Sequence, residues 1–351
     1  MQAQGQAQEK LIDGETYGAS NEHYMMMSAR KEEKSSQIVL CGHGVRLSVE
    51  KGALIVKDGF THEGHLQAPL TRVLYKGVHE VEAIVILSDK GNMTIDALNW
   101  CQSQNIMISI IDFDGNLKQC LTSEPVSNAS LRRKQYLASE GEQAANIAYQ
   151  LLCRKALEQL TLLQSRQLVK DKKDTQARAC QIFEDSMKWL DLPDLPRWKD
   201  IDYMRTFEGR LSKAYWCVFE KVELKWKKGE IKSIPPHWIK AGIRASYLNK
   251  NHGARNATSP FHALLNYAYA CLESKVRQAL VKQGFDLACA FLHADKLGRD
   301  SLVYDLIELY RSKIDALVLD FVGHTTFKKG DLIPVSDGSV RLSPQLAKYW
   351  R

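Results

Sequence analysis

Closely spaced cysteines are absent from this sequence. Eight cysteines stand at positions 41, 101, 120, 153, 180, 217, 271 and 289, and no two are closer than 18 residues. This spacing contains no C-x-x-C metal clip, iron–sulfur run or compact disulfide framework, so buried thiols in a reducing compartment are expected. The sequence also lacks an apolar run of the roughly 20 residues that a membrane span needs, and a basic-then-apolar signal pattern at its start. We therefore expect a soluble, cytoplasmic protein without a membrane partner.

The composition is that of a folded globular protein with a moderate positive charge. Hydrophobic residues make up 44% of the 351 residues and charged residues 25%, which excludes disorder for the bulk of the chain. A chain of this length exceeds the size at which one core keeps growing, so two domains are expected. The net charge of +7 fits a polyanionic partner without proving one.

The chain changes in composition twice, and these changes predict its domains. Residues 1–36 are polar and rich in Gln and Ala, as in a flexible leader. Residues 37–122 contain short β-branched and apolar runs separated by turn residues, with one helix that Thr94 would cap. A linker at 123–129 then leads to residues 130–351, where apolar residues recur at helical spacing. The predicted fold class is α+β, with a small N-terminal β-sandwich-like domain followed by a larger all-α domain.

Individual elements can be predicted within both domains. The segment VRLSVEKGALIVKDG has two alternating runs around Glu50, Lys51 and Gly52, which predicts a β-hairpin. Ser259 and Pro260 predict the start of a long helix, as its N-cap and first-turn residue. Helical spacing of the apolar residues predicts helices over 130–168, 174–191, 198–222, 235–247, 259–284 and 300–318.

The stretch Phe291 to Arg311, FLHADKLGRDSLVYDLIELYR, has the composition of a metal site. Asp305 and Glu308 lie three residues apart on a predicted helix, on a face beside its apolar stripe. Two partly buried carboxylates need a compensating charge, and a divalent ion neutralises both together. His293, just before the helix, could add a nitrogen to the same ion. From this stretch alone, a solvated helix edge with a structural histidine remains the alternative.

Another carboxylate precedes an apolar helical segment earlier in the chain. Glu208 lies near the start of TFEGRLSKAYWCVF, so its side chain is not expected to be fully exposed. The alternative is a position in the first turn, where a glutamate stabilises the helix dipole by roughly a few tenths of a kcal/mol.

Several basic clusters could neutralise DNA phosphates. They lie at the start of the first long helix, around an aromatic residue in a predicted loop, and before the helix at Pro260. Basic residues beside an aromatic ring suit a backbone groove or a frayed DNA end that stacks on the ring, and solvated surface is the alternative. The candidate DNA contacts are Arg132, Arg133, Lys225, Trp226, Lys228, Arg244 and Arg255, with Lys134, Lys227 and Lys240 beside them.

The order of these segments resembles a known family. The segments FEG-x(3)-KAYW, SPFHALLNYAYACLESKV and FLHADKLGRDSLVYDLIELYR, followed by DALVLDF, look like the CRISPR-associated "Cas-one" family, the integrase and endonuclease of the adaptation module. The resemblance covers about residues 37 to 325, and the last two segments are its specific part. It implies a metal-dependent DNA endonuclease and strand transferase. Such an enzyme inserts short foreign DNA fragments into a repeat array by attack of a 3′ hydroxyl on a phosphodiester.

Carried over by position, the resemblance implies Glu208, His293 and Glu308 as ligands of Mg²⁺ or Mn²⁺. Asp305 would be a fourth ligand or would orient His293. Carboxylate oxygens with one imidazole nitrogen suit these hard ions better than zinc. Many relatives have aspartate at the position of Glu308, and glutamate keeps the same chemistry. Other departures from the family pattern concern helix packing: His262, Ala268 and Ser312.

The resemblance also implies partners. They are double-stranded DNA, as spacer precursor and repeat array, a second copy of the chain joined through the β domain, and a small ferredoxin-fold subunit, in a prokaryotic cytoplasm. Two alternatives stay open. An integrase relative serving a mobile element would normally carry an added DNA-binding segment, whereas only a short tail follows the catalytic segment. A non-catalytic scaffold would bind DNA equally well after Glu308→Ala.

Overall fold

A computed structural model gives the fold of the chain from Ser36 onward. It describes residues 36–60, 69–121, 127–169, 174–190, 199–243, 257–336 and 338–347. The predicted leader and most of the predicted linker lie outside the described residues. Ser36–Arg351 forms one compact unit. No described helix combines the length and the apolar character that a membrane span requires.

The N-terminal half is built from strands and one helix. Its elements are β1 (Gln37–Cys41), β2 (Val45–Glu50), β3 (Ala53–Lys57), β4 (Thr71–Leu74), β5 (Ala83–Leu87), β6 (Gly91–Met93), α1 (Ile95–Ser103), β7 (Met107–Ile111) and β8 (Leu117–Leu121). They form two four-stranded sheets, with the strand orders β1-β5-β7-β8 and β4-β3-β2-β6. In the first sheet β1, β5 and β7 run parallel and β8 antiparallel.

Two predictions made from local sequence signals in this half are confirmed. Strands β2 and β3 pair antiparallel with Glu50 opposite Ala53, so the predicted hairpin is confirmed. Its two loop residues, Lys51 and Gly52, have φ of 47° and 81°, the left-handed pair that a tight hairpin turn requires. Thr94 caps α1, because its hydroxyl accepts a hydrogen bond from the backbone N–H of Ala97 at 3.2 Å.

The parallel strands β1 and β5 of the first sheet are buried on both faces. Ile38 and Leu40 of β1 pack against the second sheet, in a core that also contains Leu47 and Val56, as in a sandwich. Val39 of the same strand points the other way, into a core shared with the helices. Parallel strands covered on both faces explain why the runs IVLC and AIVIL are continuously apolar. The β half and the helical half therefore share packing through this sheet.

The C-terminal half is mainly helical. Its helices are α2 (Ala129–Ala138), α3 (Gly141–Ser165), α4 (Thr175–Leu190), α5 (Ile201–Phe219), α6 (Pro260–Gln283), α7 (Ser301–Ile307), α8 (Arg311–His324) and α9 (Pro344–Ala347). The expectation of an all-α half is wrong in one respect, because two small sheets complete it. They pair β9 (Lys225–Trp226) with β10 (Thr326–Phe327), and β11 (Leu332–Pro334) with β12 (Val340–Leu342).

Two predicted helices are each divided in two. The helix predicted over 130–168 breaks before Gly141, whose φ of 63° does not fit a right-handed helix. The helix predicted over 300–318 breaks between α7 and α8. There Leu309 and Tyr310 donate backbone hydrogen bonds three residues back instead of four, which tightens the chain and ends α7. Glu308 lies at this junction.

The predicted helix over 235–247 is wrong. Its described part holds only a single 3₁₀ turn, Pro236–Trp238, and then an extended segment in which Ala241 donates a backbone hydrogen bond to Val222. Pro235 has an extended ψ of 132° because it precedes Pro236, so a helix cannot begin before Pro236. The apolar residues of this segment recur at helical spacing, although its described backbone is not an α-helix.

Helix α6 connects the two halves. Ser259 and Pro260 begin it as predicted, and it ends at Gly284, with φ of 86°. The turn between β7 and β8 presses against its side: the hydroxyl of Tyr267 donates to the carbonyl of Phe113 at 2.6 Å. In the same turn Gly115 approaches so closely that an added Cβ would lie 2.8 Å from the Asn266 side chain. The β half is thereby fixed against the helix that backs the candidate site.

Candidate active site

Asp305 holds the segment that carries His293. Its Oδ2 accepts hydrogen bonds from the backbone N–H groups of Phe291 at 2.7 Å and Leu292 at 3.0 Å. Its Oδ1 accepts the backbone N–H of His293 at 2.9 Å and lies 2.7 Å from His293 Nδ1. Because the carboxylate oxygen accepts, Nδ1 carries the proton and the lone pair of Nε2 remains available. These are the contacts of the orienting role that the resemblance allowed for Asp305.

The carboxylates of α7 and its junction with α8 are buried. Asp305 is 0% exposed and Glu308 is 5% exposed. The alternative of a solvated helix edge is therefore wrong. Burial of two carboxylates requires specific compensation, which Asp305 obtains from three backbone donors and a histidine.

Glu208 and Glu308 meet at one lysine. Lys155 of α3 forms an ion pair with Glu208 Oε1, and its Nζ lies 2.7 Å from Glu308 Oε2. Ser212, one turn after Glu208, donates a hydrogen bond to Glu208 Oε1 at 2.9 Å. The side chains of Lys155 and Glu308 are each 6% exposed, while that of Glu208 is 28% exposed. The cluster is thus buried at Lys155 and open to solvent at Glu208.

Glu208 does not lie in the first turn of its helix. Helix α5 begins at Ile201, after Asp200, whose side chain accepts hydrogen bonds from two backbone N–H groups. Glu208 is therefore in the third turn, too far along to act on the helix dipole. The first-turn alternative is wrong, and the position of Glu208 is explained by its ion pair with Lys155.

Arg311 supplies a second positive charge to Glu308. Its Nε lies 3.2 Å from Glu308 Oε1, and its guanidinium lies over the ring of Tyr269, 5.0 Å from the centroid. Burial alone would raise the pKa of Glu308, but the charges of Arg311 and Lys155 outweigh it and lower that pKa. Glu308 is therefore a carboxylate at neutral pH.

One turn beyond Arg311, a fully buried aspartate joins the network. Asp315 accepts hydrogen bonds from the hydroxyls of Tyr269 and of Tyr215, the latter at 2.8 Å. Burial raises the pKa of Asp315 to about 6, although both hydroxyls and Arg311 act in the opposite direction. The support of the site therefore contains a group that titrates near neutral pH.

The His293 segment lies beside the two glutamates. Arg205, one turn before Glu208 on α5, donates its Nε–H to the carbonyl of Leu292 at 2.7 Å. The ring of His293 is also close enough to Glu308 for an electrostatic interaction between them. Three side chains that are far apart in sequence thus converge on one region of the helical half.

The chemistry of these groups fits a hard divalent ion. Within the described residues, no three His, Cys, Asp or Glu side chains form a group that could hold a metal ion, and the ammonium of Lys155 pairs with both glutamates. Glu308 Oε2 is a buried oxygen whose close partner is the ammonium of Lys155, at 2.7 Å. With a second carboxylate and an available imidazole nitrogen, the donor set suits Mg²⁺ or Mn²⁺. The role of Glu208, His293 and Glu308 as ligands stays a prediction.

The basic candidates for DNA contact differ in what the structure shows of them. Arg133, Lys225 and Lys228 are exposed, so a phosphate could reach them. Arg132 is half-buried and donates its Nε–H to the carbonyl of Gly284 at 3.1 Å, which gives it a structural contact. Two further candidates lie outside the described residues: Arg244 and Arg255.

The prediction that Trp226 stacks on a DNA base is wrong. Its side chain is 7% exposed and packs on Trp238 and Phe327, with ring centroids 6.3 and 5.8 Å away. Trp226 lies in strand β9, where successive side chains point to opposite faces. The exposed neighbours Lys225 and Lys227 therefore face away from the core into which Trp226 points.

Sequence reasoning missed Lys155. On α3 this residue falls on the buried stripe that contains Leu152, Ala156 and Gln159. A lysine at such a position requires a buried anionic partner, because an unpaired buried ammonium is costly. The helical spacing of 152, 155, 156 and 159 is visible in the sequence, so a charge on the apolar stripe was the available signal.

Comparison with known proteins identifies the family. The family described as "CRISPR associated protein Cas1" matches residues 38–350. A Cas1 protein of Methanobrevibacter ruminantium is 29% identical over 264 residues, covering 73% of this chain and 71% of the relative. A "CRISPR-associated endonuclease Cas1 1" of Archaeoglobus fulgidus is 26% identical over 304 residues, covering 84% and 80%. The chain belongs to the Cas1 family, as the resemblance to "Cas-one" proteins predicted.

Solved structures share the fold. A "Casposase bound to integration product" matches with a TM-score of 0.69 at 23% identity, over 90% of this chain and 80% of the other. The Cas1 protein of Thermotoga maritima matches with a TM-score of 0.64 at 14% identity, over 90% and 86%. At these identities the likeness concerns the fold.

Proposed function

We propose that this protein is a metal-dependent DNA integrase and endonuclease of CRISPR adaptation. The observation that carries the proposal is the convergence of Glu208, Glu308 and the oriented His293 in a chain of the Cas1 family. Relatives named as endonucleases and the fold of a casposase bound to an integration product support this reaction class. The proposed reaction joins the 3′ hydroxyl of a short DNA to a repeat-array phosphodiester, and releases the 3′ hydroxyl of the cut strand.

The residues of the site have distinct tasks in this reaction. Glu208, His293 and Glu308 would hold Mg²⁺ or Mn²⁺, which when bound polarises a phosphoryl oxygen and favours ionisation of the attacking hydroxyl. Asp305 accepts a hydrogen bond from Nδ1 of His293, which leaves Nε2 as the nitrogen that can act as a ligand. Arg311 keeps Glu308 ionised. With water as the attacking group, the same residues would support hydrolysis of DNA.

A strand-transfer assay tests the reaction. A short duplex with free 3′ hydroxyls is incubated with a repeat-containing plasmid and Mn²⁺ or Mg²⁺, and the junctions are sequenced. We expect insertion at repeat boundaries that is lost with chelator and reduced at least about 100-fold by His293→Ala or Glu308→Ala. Asp185→Ala, which alters an exposed aspartate of α4 outside the site and the basic clusters, is the control for general damage.

The same assay separates the alternatives. A non-catalytic scaffold would give no insertion with any metal, while DNA binding would be unchanged by Glu308→Ala. An integrase serving a mobile element would insert DNA equally well into a plasmid without the repeat. Either result would contradict the role in adaptation.

We propose that two copies of the chain pair through the β half. The segment around β4 exposes several large apolar side chains, and contiguous exposed apolar surface is typical of a protein interface. These side chains are Phe60, Leu70, Val73, Tyr75 and Val78. Tyr75→Asp with Val78→Asp should shift the sedimentation of the chain from dimer to monomer. Leu317→Asp, at an exposed leucine of α8, is the control.

We propose two further partners. The first is double-stranded DNA, for which the exposed Arg133, Lys225 and Lys228 provide phosphate contacts without base specificity. The second is a small ferredoxin-fold subunit, as the family resemblance implies. A structure titled "Cas6-RT-Cas1--Cas2 complex", which matches this fold with a TM-score of 0.61, supports assembly with a second protein. A pull-down with the tagged chain as bait tests the second partner, with binding of the subunit as the readout.

A further inference from the structure

Lys155 contacts both glutamates of the candidate site. It is 5% exposed and lies on the apolar stripe of α3, where an ammonium is costly unless its charge is compensated. Glu208 and Glu308 provide that compensation from α5 and from the junction of α7 and α8. In the protein without a metal ion, Lys155 therefore holds two carboxylates together that would otherwise repel each other.

The charges of this cluster balance without a metal ion. Among the four side chains joined by these ion pairs, Glu208 and Glu308 contribute two negative charges, and Lys155 and Arg311 two positive charges. A divalent ion bound by the same carboxylates would add two positive charges beside Lys155. Like charges at such short separation repel strongly where water is excluded. The ammonium and the ion therefore compete for the same oxygens.

We propose that Lys155 is an internal counter-ion that a divalent metal ion must displace from Glu208 and Glu308. The proposal rests on the proposed role of these glutamates as ligands. The side chain of Glu208 is 28% exposed, so the cluster has an open side toward which the ammonium can move. Lysine has a long flexible stem, which lets Nζ leave while the stem stays on α3. Lys155 is thus a positioning residue for the carboxylates until the ion binds.

Mn²⁺ binding to the full chain without DNA tests the proposal. Free Mn²⁺ is measured by electron paramagnetic resonance during titration of wild type and of Lys155→Met, which keeps the stem and removes the charge. We expect about tenfold tighter binding by Lys155→Met, since the lost contact is a hydrogen bond between charged groups. Lys155→Arg should bind like wild type. Lys199→Met, which removes an exposed lysine paired with Glu142, is the matched control.

Two negative results have different meanings. If Glu308→Gln weakens Mn²⁺ binding but Lys155→Met binds no more tightly than wild type, Lys155 is not a competitor and the metal site stands. If neither Glu208→Gln nor Glu308→Gln changes Mn²⁺ binding, the proposed metal site fails, and the role of Lys155 fails with it.

Thermal unfolding provides a readout independent of both activity and affinity. Without metal, Lys155→Met leaves Glu208 facing Glu308, so its Tm should be lower than that of wild type. Mn²⁺ should then raise the Tm of this variant more than the Tm of wild type; an equal rise contradicts the proposal. If the variant is unfolded without metal, recovery of its far-ultraviolet circular dichroism with Mn²⁺ supports the proposal, and no recovery overturns it.

Discussion

Asp305 accepts hydrogen bonds with both oxygens of its carboxylate. All of the donors belong to the segment Phe291 to His293. An amide at this position would turn a donor toward backbone N–H groups that need an acceptor. Asp305 thus fixes the place of His293 through the backbone as well as through the ring.

We expect Asp305→Asn to destabilise the protein by about 2 to 4 kcal/mol, because buried donors lose a charged acceptor. Urea denaturation measures the change, and strand transfer should fall with it. Asp295→Asn is the matched control, since Asp295 is exposed in the same segment and should change the free energy of unfolding by less than about 0.5 kcal/mol. Equal effects of the two substitutions would contradict the orienting role.

Asp315 predicts a pH dependence of stability. Its pKa in the folded chain is about 6, above the usual 3.8, so the folded state binds its proton more tightly than the unfolded state. The stabilising contribution is fully present below about pH 4 and is lost as the pH rises through 6. The difference of about two pKa units corresponds to about 3 kcal/mol.

Asp315→Asn tests this dependence, because an amide stays neutral across the range. We expect the fall in the free energy of unfolding between pH 4.5 and 7.5 to be smaller in the variant than in wild type, measured by urea denaturation at both values. Asp320→Asn, at an exposed aspartate of the same helix, should keep the wild-type dependence. A variant with the full wild-type dependence would show that another group titrates.

At the scale of elements, the turn between β7 and β8 depends on one glycine. Gly115 has φ of 77°, and an added Cβ would lie 2.8 Å from Asn266 Cβ and 3.0 Å from the backbone N of Tyr267. Gly115→Ala should therefore cost about 2 to 4 kcal/mol in urea denaturation, from backbone strain together with loss of contact to α6.

A second glycine isolates the contribution of the contact. Gly77 has φ of 71°, but an added Cβ there meets nothing within 4 Å. Gly77→Ala should cost only the strain of the left-handed backbone, about 1 kcal/mol. If both substitutions cost the same, the close approach of the turn to α6 contributes nothing to stability.

The elements that sequence reasoning predicted are those specified by local signals. The hairpin at Lys51 and Gly52 and the cap at Thr94 each depend on residues within a few positions of one another. The parallel pairing of β1 with β5 was not predicted, because it joins strands more than 40 residues apart and leaves no mark on either strand except continuous apolarity. The break before Gly141 was not predicted either, because it depends on the positive φ of one residue.

The same distinction holds in the candidate site. His293 and Asp305 are 12 residues apart in one short segment, so the sequence predicted that they act together. The partnership of Lys155 with Glu208 and Glu308 depends on how three helices pack, and helical spacing specifies a buried face without naming its partner. Trp226 was misassigned because apolar and charged residues alternate from Val222 to Lys227, as do buried and exposed side chains, but this stretch was interpreted as a basic loop.

At the scale of the whole molecule, the first sheet makes one cooperative unit of both halves. Val39 and Val85 belong to the core of the helices, while Leu40 and Ile84 of the same strands belong to the core between the sheets. Opening either half exposes one face of this sheet. We therefore expect the β half and the helical half to unfold in a single transition.

Native-state hydrogen exchange checks this expectation. The slowest amides of β5 and of α6 should exchange with the same free energy of opening and the same response to urea. Exchange of β5 at several kcal/mol below α6 would show that the β half opens separately.

The cluster around Lys155 also bears on how the protein is made. Lys155 leaves the ribosome long before Glu308, its partner at 2.7 Å. A fragment that ends before Glu308 retains Glu208 but lacks the second carboxylate that contacts Lys155, so we expect it to be less stable and more readily cleaved by proteases than the full chain.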